Sequence, residues 1–315
     1  MKLDLDILKS LIDGGHYDND KNNIYGICPY CGGNEFGVST KDNHLFGCFR
    51  KSQCGVTGNI YKLLKKIDRE DLLEAEVIRL GEKLDIELDR NEKDETDYEL
   101  TLPTINPPIG FRRVISNKYL EERGFTDFDK YKVGTTMLDK AYKDRIIFLV
   151  EEDGEVKGYL GRSINKDIKP KYKNSKSDFA KLLLGIEEIE EETHTLVLVE
   201  GLLDKANVDR LLKLDRQSEI KCCCTFGAKM SLFQIIKMKM FNVKNIILFY
   251  ESDVIGVIQN HAFKLEKEFE KVDIILPPEN EDPGSINEEE IQKSLEKKYS
   301  PMDFYRKKVN IIKLK

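Results

Sequence analysis

Beyond residue 194 the chain alternates between near-continuous apolar runs and amphipathic stretches. TLVLV at 195–199, KCCCTF at 221–226, NIILFY at 245–250 and VDIIL at 272–276 recur about every 25 residues. Between them, DKANVDRLLKL, SLFQIIKMKMF and GVIQNHAFKLEKEFE carry apolar residues at helical spacing. Strands that lack polar alternation and are joined by helices belong to parallel sheets covered on both faces, so this half predicts βαβ units. Upstream the pattern changes. RIIFLV, the turn EEDGE and VKGYLG predict a hairpin inside a mixed segment that begins near residue 109. The first 60 residues are Gly-rich and aromatic, and from Ile60 the stretch IYKLLKKIDREDLLEAEVIRLGEKL spaces Leu and Ile as one helical pattern. DRNEKDETDYEL has little to bury and predicts a solvated linker, with Pro103, Pro107 and Pro108 marking entry into the next unit. The expected class is α/β multidomain, divided into 1–62, a helix and acidic linker at 63–101, a basic mixed α+β subdomain at 102–193, a parallel-sheet α/β domain at 194–287 and a helical tail at 288–315.

Length and charge refine this picture. The chain has 315 residues, and at roughly 100–200 residues per domain this predicts two or three domains. With 40% hydrophobic and 34% charged residues it has enough apolar side chains for a core. No apolar run approaches the roughly 20 residues a bilayer requires, and the acid-bearing start MKLDLDILKS does not resemble a secretory signal. The balance of 51 Lys+Arg against 57 Asp+Glu gives −6, which taken globally argues against a polyanionic partner. That average hides opposed regions. Residues 68–101 carry 14 acids and 5 bases, and 182–204 carry seven acids with no Lys or Arg, whereas 162–176 hold six bases and one acid. Global charge therefore does not exclude nucleic acid.

Seven cysteines fall into two groups. Cys222, Cys223 and Cys224 are consecutive, and neighbours on a strand point to opposite faces, so they read as small apolar side chains of a buried strand. The odd count and absent export signal favour a reducing cytoplasm. Cys28, Cys31, Cys48 and Cys54 differ. CPYCGG is a Cys-x-x-Cys knuckle, five residues separate the second pair, and the sixteen residues between the pairs suit a hairpin. Four thiolates in two pairs suit tetrahedral Zn²⁺ in a closed, structural site. His44 is a competing ligand, but at a hairpin tip it is expected to be solvated.

In an open α/β sheet, function collects beyond the carboxyl ends of the strands, and here those ends are acidic. TLVLV runs into Glu200 and Asp204, NIILFY into Glu251 and Asp253, and the last strand leads through PPENE to Asp282. Three strand exits delivering carboxylates to one edge suit a hard divalent cation. Asp204 reads equally well as a simple helix cap.

These residues carry a resemblance. VEGLLD, TFGAKMS, LFYESDVIG and EDPGSINEEEI resemble the successive motifs of a TOPRIM domain of the DNA primase kind. SNKYLEERGF, RIIFLVEEDGEVKGYLGRS and KPKYKNSKSDFAKLLLG resemble the preceding part of a primase polymerase core, and CPYCGG with HLFGCF resembles the zinc-binding domain of bacteriophage primases. The order of motifs matches over about residues 25–290. The resemblance implies a DNA-templated RNA polymerase that makes short primers on single-stranded DNA from ribonucleoside triphosphates, in the cytoplasm of a bacterial host. It implies that Glu200 binds metal or assists proton removal from the 3′-hydroxyl. It further implies that Glu251, Asp253 and Asp282 hold Mg²⁺ or Mn²⁺, with Asp204 in the acidic set. Arg145, Arg162, Lys171 and Lys181 match basic positions facing template, primer or triphosphate; taken singly, each also reads as a solvated surface charge. Phe36, Phe46 and Phe49 read either as base-stacking faces or as core.

The pattern has departures. The family's Asp-x-Asp is here Glu251-Ser252-Asp253, Gly284 stands where many bacterial members have a second acid, and the second knuckle is longer by three residues. No GxxxxGK[ST] occurs, so a replicative helicase is expected as a separate chain. Two alternatives follow: a TOPRIM nuclease with similar acids, and a catalytically inactive zinc-containing replication accessory protein.

Overall fold

The computed structural model describes residues 3–41, 44–84, 102–241, 243–251, 255–279 and 281–313. They fall into two compact units. One comprises the described residues of Met1–Glu99, Glu190–Thr193 and Ile235–Asn242; the other comprises those of Leu100–Ile189, His194–Gln234 and Val243–Lys315. The acidic linker expected before residue 101 lies largely at 85–101, outside the described residues.

The first unit opens with helix α1 (Leu5–Ser10), whose N-cap Asp4 accepts a hydrogen bond from the Ile7 amide. An antiparallel sheet follows, with β1 (His16–Asp18), β2 (Asn23–Gly26), β3 (Phe36–Ser39), β4 (Phe46–Cys48) and β5 (Thr57–Gly58) in sequence order. Leu8, Ile24, Phe36, Val38 and Phe46 form its small buried core. The single helical pattern expected from Ile60 resolves into two helices, α2 (Ile60–Lys66) and α3 (Glu70–Leu84). The break falls at Asp68, whose φ of 53° no helix interior tolerates. Leu73, Val77, Leu80 and Leu84 make the buried stripe of α3.

His44 is a correction to the sequence reading. It is buried, with Nε2 accepting from the Leu3 amide at 2.9 Å and Nδ1 at 3.0 Å from the Ser39 carbonyl oxygen. Two backbone groups satisfy the ring, so it is neither solvated nor part of the cysteine group.

The second unit contains two sheets. The antiparallel one runs β10 (Tyr172–Asn174), β9 (Glu155–Ser163), β8 (Arg145–Glu152), β7 (Val133–Thr135), β6 (Arg112–Arg113), with the short helix α4 (Lys118–Glu121) between β6 and β7. The long β8–β9 pair is the expected hairpin. The other sheet is parallel, ordered β12 (Ile220–Cys224), β11 (Thr195–Val199), β13 (Asn245–Phe249), β14 (Lys271–Ile275). Helices α5 (Leu202–Leu212), α6 (Leu232–Lys239) and α7 (Ile255–Leu265) connect these strands, and α8 (Glu288–Glu296) and α9 (Pro301–Lys313) follow. Cys222, Cys223 and Cys224 are fully buried. Burial pushes all three thiols up, which fits packing and not reactivity. Among the described residues no helix is long and apolar enough to cross a membrane.

Helix α5 is tied down by buried ions. Lys205 Nζ lies 2.8 Å from Glu188 and 2.7 Å from Asp209, and Lys130 lies 2.8 and 2.6 Å from the same two carboxylates. Tyr131 donates to Asp209 at 2.7 Å. Removing one member of a buried ion pair leaves charge without compensation, at about 3–5 kcal/mol. Lys205→Met is therefore expected to lower unfolding free energy by about 3 kcal/mol, the low end because Lys130 remains. Urea unfolding of the purified variant checks this, and a loss near zero would mean the cluster contributes nothing to stability.

Candidate functional sites

The four cysteines of the first unit converge. Their ligand atoms all lie within 4.8 Å of one another, with Sγ–Sγ separations of 4.0 Å for Cys28–Cys54 and 3.8 Å for Cys31–Cys48. A tetrahedral zinc with Zn–S near 2.3 Å requires sulfur–sulfur edges of about 3.8 Å. The group therefore fits zinc in both donor chemistry and size. Local backbone explains how. In the first knuckle the Gly32 amide bonds to the Cys28 carbonyl at 2.8 Å, with Gly32 at φ 70°. In the second, the Cys54 amide bonds to the Arg50 carbonyl at 2.9 Å, a tight turn that returns Cys54 toward Cys48 despite the longer spacing. The backbone N–H of Gly33 pulls the Cys31 thiol down to about 7, whereas desolvation pushes Cys28 up to about 12. Of the three nearby phenylalanines, Phe36 and Phe46 are buried and Phe49 is 55% exposed. Core packing takes the first two and leaves the third available.

In the second unit, an open cleft of about 310 Å³ lies at the carboxyl ends of the parallel strands. Glu200 follows β11 directly, Glu251 sits just past β13, Asp282 lies on the loop after β14, and Asp204 is on the first turn of α5; all four line the cleft. Asp253 lies outside the described residues. Asp204 caps its helix and also lines the cleft. Its Oδ2 accepts from the Gly201 amide at 2.9 Å as a cap, and its carboxylate also faces the other acids. Desolvation, then Asp282 and Glu251, push its carboxyl up to about 6. Gly284 explains part of the approach, because a Cβ there would sit 2.5 Å from Asp204 Oδ1 and 3.2 Å from Asp282 Oδ1. Gathered carboxylates that repel one another are relieved by a cation, and an all-oxygen donor set suits a hard one. Among the described residues only the cysteines bring three donors within 4.8 Å. Magnesium needs no such cage, since it keeps waters and takes one or two carboxylates plus phosphate oxygens.

Cations line the cleft as well. Arg123, Arg162 and Lys171 line the same cleft. Arg162 is 4% exposed and held by two tyrosines. Its guanidinium donates to the Tyr119 hydroxyl at 2.9 Å and to the Tyr172 hydroxyl, and stacks over both rings at 5.4 and 4.8 Å. Arg123 lies 5.2 Å over Tyr119. Arg145 and Lys181 are placed elsewhere. Arg145 is buried and donates to the carbonyls of Gly161 and Pro170, tying the loop before β10 to β9. Lys181 is buried, with its ammonium 4.7 Å over Phe233. The sequence reading did not single out Arg123 and Tyr172, which line the cleft, or Tyr119, which holds Arg162, although all three stand within the motifs SNKYLEERGF and KPKYKN.

No family model matches the chain. A DNA primase of Legionella pneumophila is 26% identical over 151 residues, covering 43% of this chain and 25% of the relative. The similarity in sequence is to DNA primases. The chain thus matches about a quarter of that relative's length. Among solved structures, the zinc-binding and RNA polymerase domains of the Aquifex aeolicus primase align with 94% of this chain and 83% of theirs, at 18% identity and a TM-score of 0.45. The primase fragment of the bacteriophage T7 primase-helicase protein aligns with 87% of this chain and 99% of its own, at 15% identity and a TM-score of 0.44.

Proposed function

We propose that the chain is a DNA primase of the bacterial and bacteriophage kind, joining ribonucleoside triphosphates into short RNA primers on single-stranded DNA. The observation that supports this most is the gathering of four carboxylates and three cations in one cleft. Phosphoryl transfer has little covalent work for a protein to do and depends on positioning and charge. Arg162, fixed by two tyrosines, presents an oriented fork for triphosphate oxygens without having to order itself on binding. Arg123 and Lys171 extend that positive wall toward primer or template phosphates. Glu200 accepts the proton of the attacking 3′-hydroxyl. Glu251, Asp282 and, by its motif, Asp253 would hold Mg²⁺ together with Glu200. When bound, Mg²⁺ neutralises phosphate charge and polarises the reacting oxygens.

In the first unit, the cysteine group is a structural zinc site, and exposed Phe49 offers a face for stacking a template base at the initiation site. A replicative helicase is the partner, and the setting is the bacterial cytoplasm.

The test is direct. Purified protein with ribonucleotides, MgCl₂ and single strands of varied sequence is expected to yield short template-dependent RNAs. If no template gives any product, the reading fails. Divalent-dependent cleavage without incorporation would instead identify a nuclease.

A further inference from the structure

We propose that Asn207 is a positioning residue of the acidic cleft, its carboxamide fastening the loop that carries Asp282 to the helix that carries Asp204. This rests on the cation-binding role proposed for those acids. Asn207 lies one turn after Asp204 on α5 and is 5% exposed. Its Nδ2 donates to the carbonyl oxygens of Pro283 and Ile286, each at 2.9 Å. Its Oδ1 accepts from Arg210 Nη2 at 2.6 Å, which fixes the amide orientation, because an arginine can only donate. Both amide protons are thus committed to the turn spanning Pro283–Ile286, immediately beyond Asp282.

The need for such a fastener follows from charge. Asp204 and Asp282 raise each other's electrostatic energy, and mutual repulsion acts to push the Asp282 loop outward before a cation arrives. Within the loop, Ser285 accepts from the Asp282 amide at 3.2 Å and donates to Glu281 at 2.7 Å. Those bonds shape the turn without attaching it. Ile286, 2% exposed, anchors the far end by packing with Val208 and Leu211 of α5. Among the described residues of α5, Asn207 is the side chain that hydrogen-bonds the near end, at the Pro283 carbonyl. It lets the cleft hold its acids close without a metal, so that little rearrangement accompanies binding.

The test exploits opposite signs. Asn207→Asp adds a negative charge beside the cleft, which by electrostatics alone tightens cation binding. It also turns two donors into acceptors facing carbonyl oxygens, which releases the loop. Mn²⁺ binding to the full-length, zinc-loaded protein, followed by water-proton relaxation, reports the balance. Outer-shell partners typically change metal affinity by 10–100-fold, so the Mn²⁺ dissociation constant is expected to rise roughly tenfold. Unchanged or tighter binding overturns the inference. Should Asn207→Asp fail to fold by circular dichroism, Arg210→Met, at an exposed position, decides: weaker Mn²⁺ binding supports the role and unchanged binding overturns it. If the wild-type protein binds no Mn²⁺, the reading of the acids falls, and this inference falls with it. If wild type binds and both variants match it, only the role of Asn207 is lost.

Discussion

Cys48→Ser is expected to empty the zinc site and melt the five-stranded sheet of the first unit, while the parallel sheet of the second survives. Binding of a structural zinc contributes about 10–16 kcal/mol at neutral pH in small zinc domains. That matches or exceeds the whole stability of an ordinary domain, about 5–15 kcal/mol. The sheet itself has little else, since it buries only a handful of large apolar side chains around Ile24, Phe36 and Phe46. Cys48 also ends β4 and pairs with Phe36 of β3, so loss of the metal reaches directly into the strand register. Elemental analysis with hydrogen exchange checks this: zinc below stoichiometry, fast exchange across residues 16–58, and retained protection at 195–199 and 245–249. Full zinc content in the variant, or none in folded wild-type protein, would sink the assignment.

Glu200→Gln should abolish primer synthesis and leave the template bound. The change keeps the side chain's shape and removes its charge, so it withdraws both the proton acceptor and the cation ligand proposed at this position. Removing one group that acts on the developing charge of a transition state costs roughly 10²–10³ in rate. A residue serving both roles lies at or beyond the upper end of that range. Affinity for single-stranded DNA comes mainly from phosphate contacts by lysine and arginine, and none of those is altered. Rates from primer-extension gels and dissociation constants from fluorescence anisotropy give the two halves of the result. Synthesis at the wild-type rate would remove Glu200 from the chemistry, and a matching loss of template affinity would show a general disturbance of the cleft.

What the sequence made legible follows from how local each signal is. The four parallel strands were readable because a strand buried on both faces leaves an uninterrupted apolar run, and the observed bounds agree within about two residues. The cysteine site was readable because paired thiols at knuckle spacing have few other uses. The break at Asp68 was not, since no Gly or Pro marks it and the surrounding Leu and Ile keep their spacing through it. Basic residues were the least legible. Arg145, Arg162, Lys171 and Lys181 look alike in one dimension, yet Arg162 and Lys171 line the cleft whereas Arg145 and Lys181 pack elsewhere. Only the tertiary positions of Pro170 and Phe233 separate these cases. Asn207 belongs with them, because nothing about an asparagine in a helix announces the carbonyls of a loop 76 residues away.

One detail of the parallel sheet bears on how the protein behaves in a crowded solution. Each of its two outer strands meets a short length of antiparallel backbone: Leu184 exchanges hydrogen bonds with Cys224 of β12, and Tyr299 does so with Ile274 of β14. An uncovered outer strand is a template on which another copy can pair and begin to aggregate. Here the carboxyl-terminal part of both borders is already taken by the chain's own loops. Pairing of two molecules along the full length of either outer strand therefore requires that strand's bridge to open.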